Sequence, residues 1–350
     1  MQENNERLAG AGVAWRRPGE ATYCAIWREP VTLGSLKEAG SRAGFVFAPF
    51  DTEGKTPTLF FSGAAERLAL PAETPDAPIS QESSVAKRGD DFAAEFVAAH
   101  ALVEGGSLAK MVLSGHEDLG ADLRGKAWQM FLRACKMYPD AFVALVRPSG
   151  GEAWLMATPE LLLRGRGWTV ETMALAGTRP SGSPGSWDDK NRREHEVVCQ
   201  FVGERLRAVA DEVRNDETTT LRAGGLSHLM TRFAARLREG RTAWDAALAL
   251  HPTPAMCGTP QKEAKAAILG IEKTAREYFS GIAGAAWGDG DTDLYVSIRC
   301  MKMTEGRTRL FSGVGLMPDS EVESETLEAA AKRGTMKRVI FKDIDPINVF

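Results

Sequence analysis

The sequence predicts an α+β fold, a sandwich of largely antiparallel sheets, on three observations. Strand-type runs are joined by short turns, helix-type segments arrive in blocks rather than after every strand, and no long linker or internal repeat divides the 350 residues. A chain of this length, 43% hydrophobic and 26% charged, has apolar residues enough for a sizeable core. Its formal net charge of −4 supplies no basic field, so no nucleic-acid partner is expected. Five scattered cysteines without a CxxC pair read as reduced thiols, not a disulfide frame or a zinc site. The polar start MQENNERLAG lacks the apolar core of a signal peptide, and no apolar run approaches the roughly 20 residues of a membrane span. A soluble, cytoplasmic protein with no membrane contact is expected.

Strands are expected at 22–27, 43–50 and 58–63. The stretch 71–88, rich in Pro, Ser and Asp, reads as a surface loop. Phe92, Phe96, Ala99 and Leu102 recur at helical spacing and predict a helix over 91–104. A β-type run follows at 107–115 and a helix at 127–138. One hairpin, 142–158, turns on Pro-Ser-Gly-Gly, and a second, 161–177, on Gly165 and Gly167. Helices are expected over 188–214, 226–239, 242–250 and 261–278. Three strands over 282–317, with turns at 288–290 and 305–306, and a helix near 321–340 complete the order.

Several polar residues stand where chemistry is conceivable. Glu194 extends the apolar stripe of Val198, Phe201, Val202, Leu206 and Val209 by one turn, where a carboxylate needs a cation or hydrogen bonds. Taken alone, it reads better as a first-turn glutamate favoured by the helix dipole, or as one end of a salt bridge. Glu321, Glu325, Glu328 and Lys332 share one face of the last helix. Two carboxylates at i and i+3 suit a hard cation such as Mg²⁺; alone they read as a solvated face with a Glu328–Lys332 pair. Lys110 alternates onto the face opposite Met111 and Leu113, and most such strand lysines face solvent. To act as a base it must be buried or stand near positive charge. Glu160, after Pro159, alone reads as a turn residue. Gly177-Thr178-Arg179 and Ser312-Gly313-Val314-Gly315 offer backbone N–H groups to an anion, without the G-K-[ST] ending of a nucleotide loop. HPTPAMCGTP (251–260) carries a lone histidine with no second at metal-ligand spacing.

The order of the segments says more than any one of them. ATPELLLRGRGWTVETMALAGTRP, NRREHEVV, LHPTPAMCGTP, REYFSGIAG, LYVSIRCMK, LFSGVGLMPDS and ETLEAAAKRGTM resemble successive blocks of the isochorismate synthase family. That family lies in the chorismate-utilising superfamily, with the salicylate, anthranilate and aminodeoxychorismate synthases. The resemblance spans about 107–340, and the first 100 residues are similar to a variable N-terminal part of the same domain. It implies one chorismate-binding domain over 1–350: two stacked, largely antiparallel sheets surrounded by helices, with the active site in the cleft between them.

The resemblance also implies roles. Lys110 would activate water for attack at chorismate C2, and Glu160 would protonate the departing C4 hydroxyl. Their ordinary pKa values, about 10.4 and 4.3, would both have to move towards neutrality. Mg²⁺ would bridge the ring carboxylate to Glu194 and Glu328, with Glu325 acting through water. Arg299 would grip the enolpyruvyl carboxylate with its forked donors. Gly177, Thr178, Gly313 and Lys332 would complete the substrate cradle, and His251 and Ala255 would line it. Lys110 and Ala255-Met256 favour the water-adding isochorismate branch, with no obligatory glutaminase subunit and a monomer expected. The product would feed menaquinone or siderophore synthesis.

The sequence also departs from the family's pattern. Thr326 stands where a tryptophan is common, Ala329 replaces a threonine, and Asn191 replaces an acidic residue. The metal register between Glu325 and Glu328 therefore stays open, with Glu328 preferred because Lys332 and Thr335-Met336 then fall at their family spacing. A salicylate synthase and a catalytically silent partner subunit are the alternatives.

Overall fold

In the computed structural model, the described residues are 10–73, 75–76, 86–88, 91–148 and 150–341. Most of the loop expected over 71–88, the first nine residues and Ser149 of the Pro-Ser-Gly-Gly turn lie outside them. Strands β1 (Gly12–Arg16), β2 (Thr22–Ile26), β3 (Val31–Leu33), β4 (Ala43–Ala48), β5 (Thr58–Ser62), β6 (Glu66–Ala69) and β7 (Ala86–Arg88) precede α1 (Phe92–Glu104). Next come β8 (Lys110–Leu119), α2 (Ala127–Met137), β9 (Phe142–Arg147), β10 (Ala153–Thr158), β11 (Leu161–Arg166) and β12 (Thr169–Pro180). Helix α3 (Asp189–Val209) leads to β13 (Ala210–Asn215), β14 (Thr219–Ala223), β15 (Leu226–Leu237) and α4 (Ala243–Leu250). The chain continues with β16 (Gly258–Thr259), α5 (Gln261–Ile271), β17 (Ile282–Trp287), β18 (Thr292–Val296), β19 (Cys300–Thr304), β20 (Arg307–Leu316) and α6 (Val322–Ile340).

These strands build two sheets. The first runs β16-β8-β20-β19-β10-β9-β1-β2-β6, with β7 also on β8; the second runs β13-β15-β12-β11-β18-β17-β4-β5-β3, with β14 also on β15. Every pairing among the described residues is antiparallel. The sheets stack through aromatic rings: Phe142 of the first lies against Tyr295 of the second, centroids 4.0 Å apart and nearly parallel. Such a contact adds about 1 kcal/mol to the burial of the rings themselves. Among the described residues no helix is long and apolar enough to cross a membrane.

The chain passes from sheet to sheet at two neighbouring places. Pro159-Glu160 links β10 to β11, and Ser297-Ile298-Arg299 links β18 to β19. Because β10 pairs with β19 and β11 with β18, the two links lie side by side. Val296 N–H donates to Glu160 O (3.0 Å), and Ala157 N–H donates to Arg299 O (3.1 Å). Arg299 adopts φ +48°, a left-handed backbone that takes it out of the ladder.

Four expectations are corrected. Residues 282–317 form four strands, not three, because the turn at 297–299 ends one sheet's strand and starts the other's. Residues 226–237 form strand β15, not a helix. Leu226, Leu229, Met230, Phe233 and Leu237 have helical spacing, but ten residue pairs with β12, and β13 and β14 on the other edge, override it. The helix expected to reach 214 ends at Val209, where residues 210–215 join β15 as β13. The helix expected to reach 278 ends at Ile271; beyond it the buried Arg276 ion-pairs with Glu272 and donates to Met256 O (2.7 Å) and Val112 O (2.8 Å). Strands β1, β3, β6, β7, β13, β14 and β16 were not anticipated, and β7 lies within the stretch 71–88 expected as a loop.

Candidate active site

Lys110 opens β8 and alternates inward, where its side chain is fully buried. Glu194 meets it from the second turn of α3, with Oε1 2.9 Å from Nζ. The buried stripe through Val198, Phe201, Val202 and Leu206 fixes the rotation of α3 and so aims Glu194 at the sheet. Gly315 on β20 makes room: a Cβ there would stand 2.1 Å from Glu194 Oε1. The start of α3 is locked as well. Asp188 caps it by accepting from Asn191 N (2.8 Å), and Asn191 Oδ1 accepts from Thr178 N (2.8 Å). Gly177 and Thr178 leave the ladder at a bulge in β12, and Gly177, at φ +71°, tolerates no ordinary side chain against Asn191.

The two sheet-to-sheet links supply the facing groups. Glu160 is 3% exposed, and burial pushes its carboxyl up to about 7 against the opposing pull of Lys110, Lys332 and Arg299. Burial brings Arg299 down to about 10, the Glu328 charge opposing. Its guanidinium has no carboxylate within ion-pair distance among the described residues and meets a neutral partner, His228 Nε2, at 2.9 Å. His228 is anchored through Nδ1 to Gly177 O (3.0 Å) and Thr178 Oγ1 (3.2 Å); burial, then Arg299, holds it well below the usual imidazole range. Glu194 behaves oppositely to Glu160. Burial alone would raise its carboxyl, but Lys110, with Lys332 and Lys190, holds it below the carboxylate range.

A pocket of about 50 Å³ gathers these groups. Its lining includes Glu160, Gly177, Thr178, Glu194, Ala255, Arg299, Gly313 and Lys332, each a residue expected at the site. Lys110 reaches it through Glu194. Lys332 ion-pairs with Glu328 (2.7 Å) and donates to Gly313 O (2.7 Å). Glu325, 1% exposed, ion-pairs with Lys190. His251 does not line the pocket: its Nε2 meets Phe50 O at 3.2 Å, which makes it a strut of the proline-rich loop. His228 and Lys190 belong to the constellation and were not singled out from the sequence. Reading 226–239 as a helix misdirected His228, whereas Lys190, four residues before Glu194, carried a usable spacing signal.

A model of the family described as "Chorismate binding enzyme" matches residues 62–341. The chain belongs to that family. Isochorismate synthase EntC of Escherichia coli K12 is 32% identical over 285 residues, 78% of this chain and 69% of that protein. Isochorismate synthase DhbC of Bacillus subtilis is 36% identical over 201 residues, 54% of this chain and 50% of that one. In fold, this chorismate-binding enzyme matches MenF, the menaquinone-specific isochorismate synthase of Escherichia coli. The TM-score is 0.83 at 20% identity, over 96% of this chain and 90% of that one.

Whether a divalent cation suits this chorismate-binding enzyme depends on its carboxylates. Among the described residues no three His, Cys, Asp or Glu side chains stand close enough to hold a metal ion. Each acid of the expected set instead faces a lysine of its own: Glu194 meets Lys110 (2.9 Å), Glu325 meets Lys190, and Glu328 meets Lys332 (2.7 Å). Burial would lower Lys190, but Glu325, Glu328 and Glu194 together raise it above its usual range. Glu325 in turn is raised by burial and by the neighbouring Glu328 charge. These three carboxylates are hard oxygen donors of the kind Mg²⁺ takes, each here facing an ammonium that a divalent cation would replace.

Proposed function

We propose that this enzyme isomerises chorismate to isochorismate. One observation carries the reading: a buried carboxyl held at about 7 shares a small pocket with a buried lysine–glutamate pair and an arginine that lacks a carboxylate partner. Glu160 keeps its proton near neutral pH and so serves as a general acid. Lys110 becomes available as the base once Glu194 engages another cation.

In the proposed reaction Lys110 takes a proton from water as the water oxygen bonds to C2. The ring double bond shifts, the C4–O bond breaks, and Glu160 gives its proton to the departing hydroxyl. One water enters and one leaves. The guanidinium of Arg299 discharges against the enolpyruvyl carboxylate, and His228 holds its position. Glu194, Glu328 and Glu325 would hold Mg²⁺, which supplies positive charge to the ring carboxylate. The names of the relatives EntC and DhbC, both isochorismate synthases, support the same reaction, and its product would feed menaquinone or siderophore synthesis.

Incubation of pure protein with chorismate and Mg²⁺, followed by chromatography, tests the reading. Isochorismate should dominate. Salicylate as the main product would assign the salicylate synthase reaction instead, and no turnover of chorismate with or without ammonia would leave a silent partner subunit.

A further inference from the structure

A second cavity, about 960 Å³, adjoins the small pocket and shares Pro159 and Arg299 with it. One wall is the face of β12 and β15, and the other is formed by residues 137–141 with Pro18 and Thr335. Alternation along β15 puts His228, Met230 and Arg232 on the same face, so the row runs from the pocket into the cavity. His228 holds Arg299, and Arg232 lies four residues further out, about 13 Å along the strand. Met173 of β12 stands directly opposite Arg232.

The charges along this row are distinctive. Arg164, on the same wall, is committed to Asp293 (2.9 Å) and Glu171 (3.6 Å), and Arg214 to Glu212. Arg232 is exposed and has no side-chain hydrogen bond or ion pair among the described residues. The chain as a whole carries −4, which repels a dianion, and the small pocket meets the larger cavity at Pro159 and Arg299. Arg232 with Arg222, the apolar Met230 and Met173, and Arg299 at the junction, held by a neutral histidine, form a row that attracts an anion past the acids Asp140, Glu171 and Asp216 of the same lining.

We propose that this cavity is the vestibule through which the dianionic substrate reaches the active site, with Arg232 as the steering residue and Arg299 as the receiving one. The proposal rests on the chorismate reading above. Arg232 does not touch the reacting atoms; it acts on encounter.

The test measures association of chorismate with the Glu160→Gln variant by stopped flow. The signal is tryptophan fluorescence: Trp154 stacks on Phe311 of the pocket, centroids 5.4 Å apart. Adding Arg232→Glu reverses one charge about 13 Å from Arg299's histidine. The association rate constant should fall about four-fold at an ionic strength of about 10 mM, where charges are screened over about 30 Å. The dissociation rate should be unchanged and the difference lost at about 0.5 M salt. Lys262→Glu, an equal reversal on α5, is the control and should have a smaller effect. An unchanged association rate, or an equal fall in the control, overturns the vestibule. If wild-type protein and Glu160→Gln both fail to bind chorismate, the functional reading fails instead.

Discussion

Replacing Glu160 by glutamine probes the site through folding as well as turnover. The carboxyl sits at about 7 in the folded protein against an ordinary 4.5. The folded state therefore holds this proton more tightly than the unfolded chain, and its ionisation opposes folding. Below about pH 4.5 both states are protonated and the group is neutral in its effect. The penalty grows as pH rises through 4.5 towards 7 and is constant above. By linkage it amounts to about 1 kcal/mol at pH 5 and about 3 kcal/mol at pH 8. Glutamine, uncharged throughout, removes it. Urea unfolding of the two proteins should give similar midpoints at pH 5, with the variant's about 1 M higher at pH 8. The same variant should lose turnover, and wild-type kcat should decline above about pH 7 as the acid loses its proton. Equal midpoints at both pH values would show that the Glu160 carboxyl titrates ordinarily, and the general-acid assignment would go with it.

Lys110→Met should abolish turnover and, because it strands the buried Glu194, lower stability by about 3 kcal/mol. Lys110→Met with Glu194→Gln should regain most of the stability and none of the activity, read by thermal unfolding beside the product assay. Gly315→Ala pushes the end of Glu194 aside and crowds Lys110 Cε, which would stand 3.0 Å from the new Cβ, so activity should drop at least ten-fold with a smaller change in the unfolding midpoint. Glu328→Ala should raise the Mg²⁺ concentration for half-maximal activity more than Glu325→Ala does; the opposite order would exchange their roles.

What the sequence disclosed follows from which interactions are local. The stripe on α3 and the hairpin turning at Gly165–Gly167 are periodic within one segment, so the start of α3 and both strands of the hairpin were placed within a few residues. β15 was misread because its own spacing favours a helix, while its three partner strands come from elsewhere in the chain. β14 (TTLRA) has a largely exposed face and no alternation to see. The acids and the lysines of the site were each ambiguous alone. No spacing rule joins Lys110 to Glu194 or Lys190 to Glu325, 84 and 135 residues apart, and only folding pairs them. Asn191, read as a missing charge, turns out to be the clasp between α3 and Thr178.

The paired links that carry Glu160 and Arg299 have a mechanical consequence. Each is two or three residues long and tethered at both ends to a different sheet. A small sliding of one layer over the other therefore acts directly on the gap between acid and guanidinium, with no slack to absorb it. Substitutions in the interlayer aromatic packing, such as Tyr295→Leu, should disturb the reaction geometry from a distance, whereas lengthening an outer hairpin such as 166–169 should leave it alone.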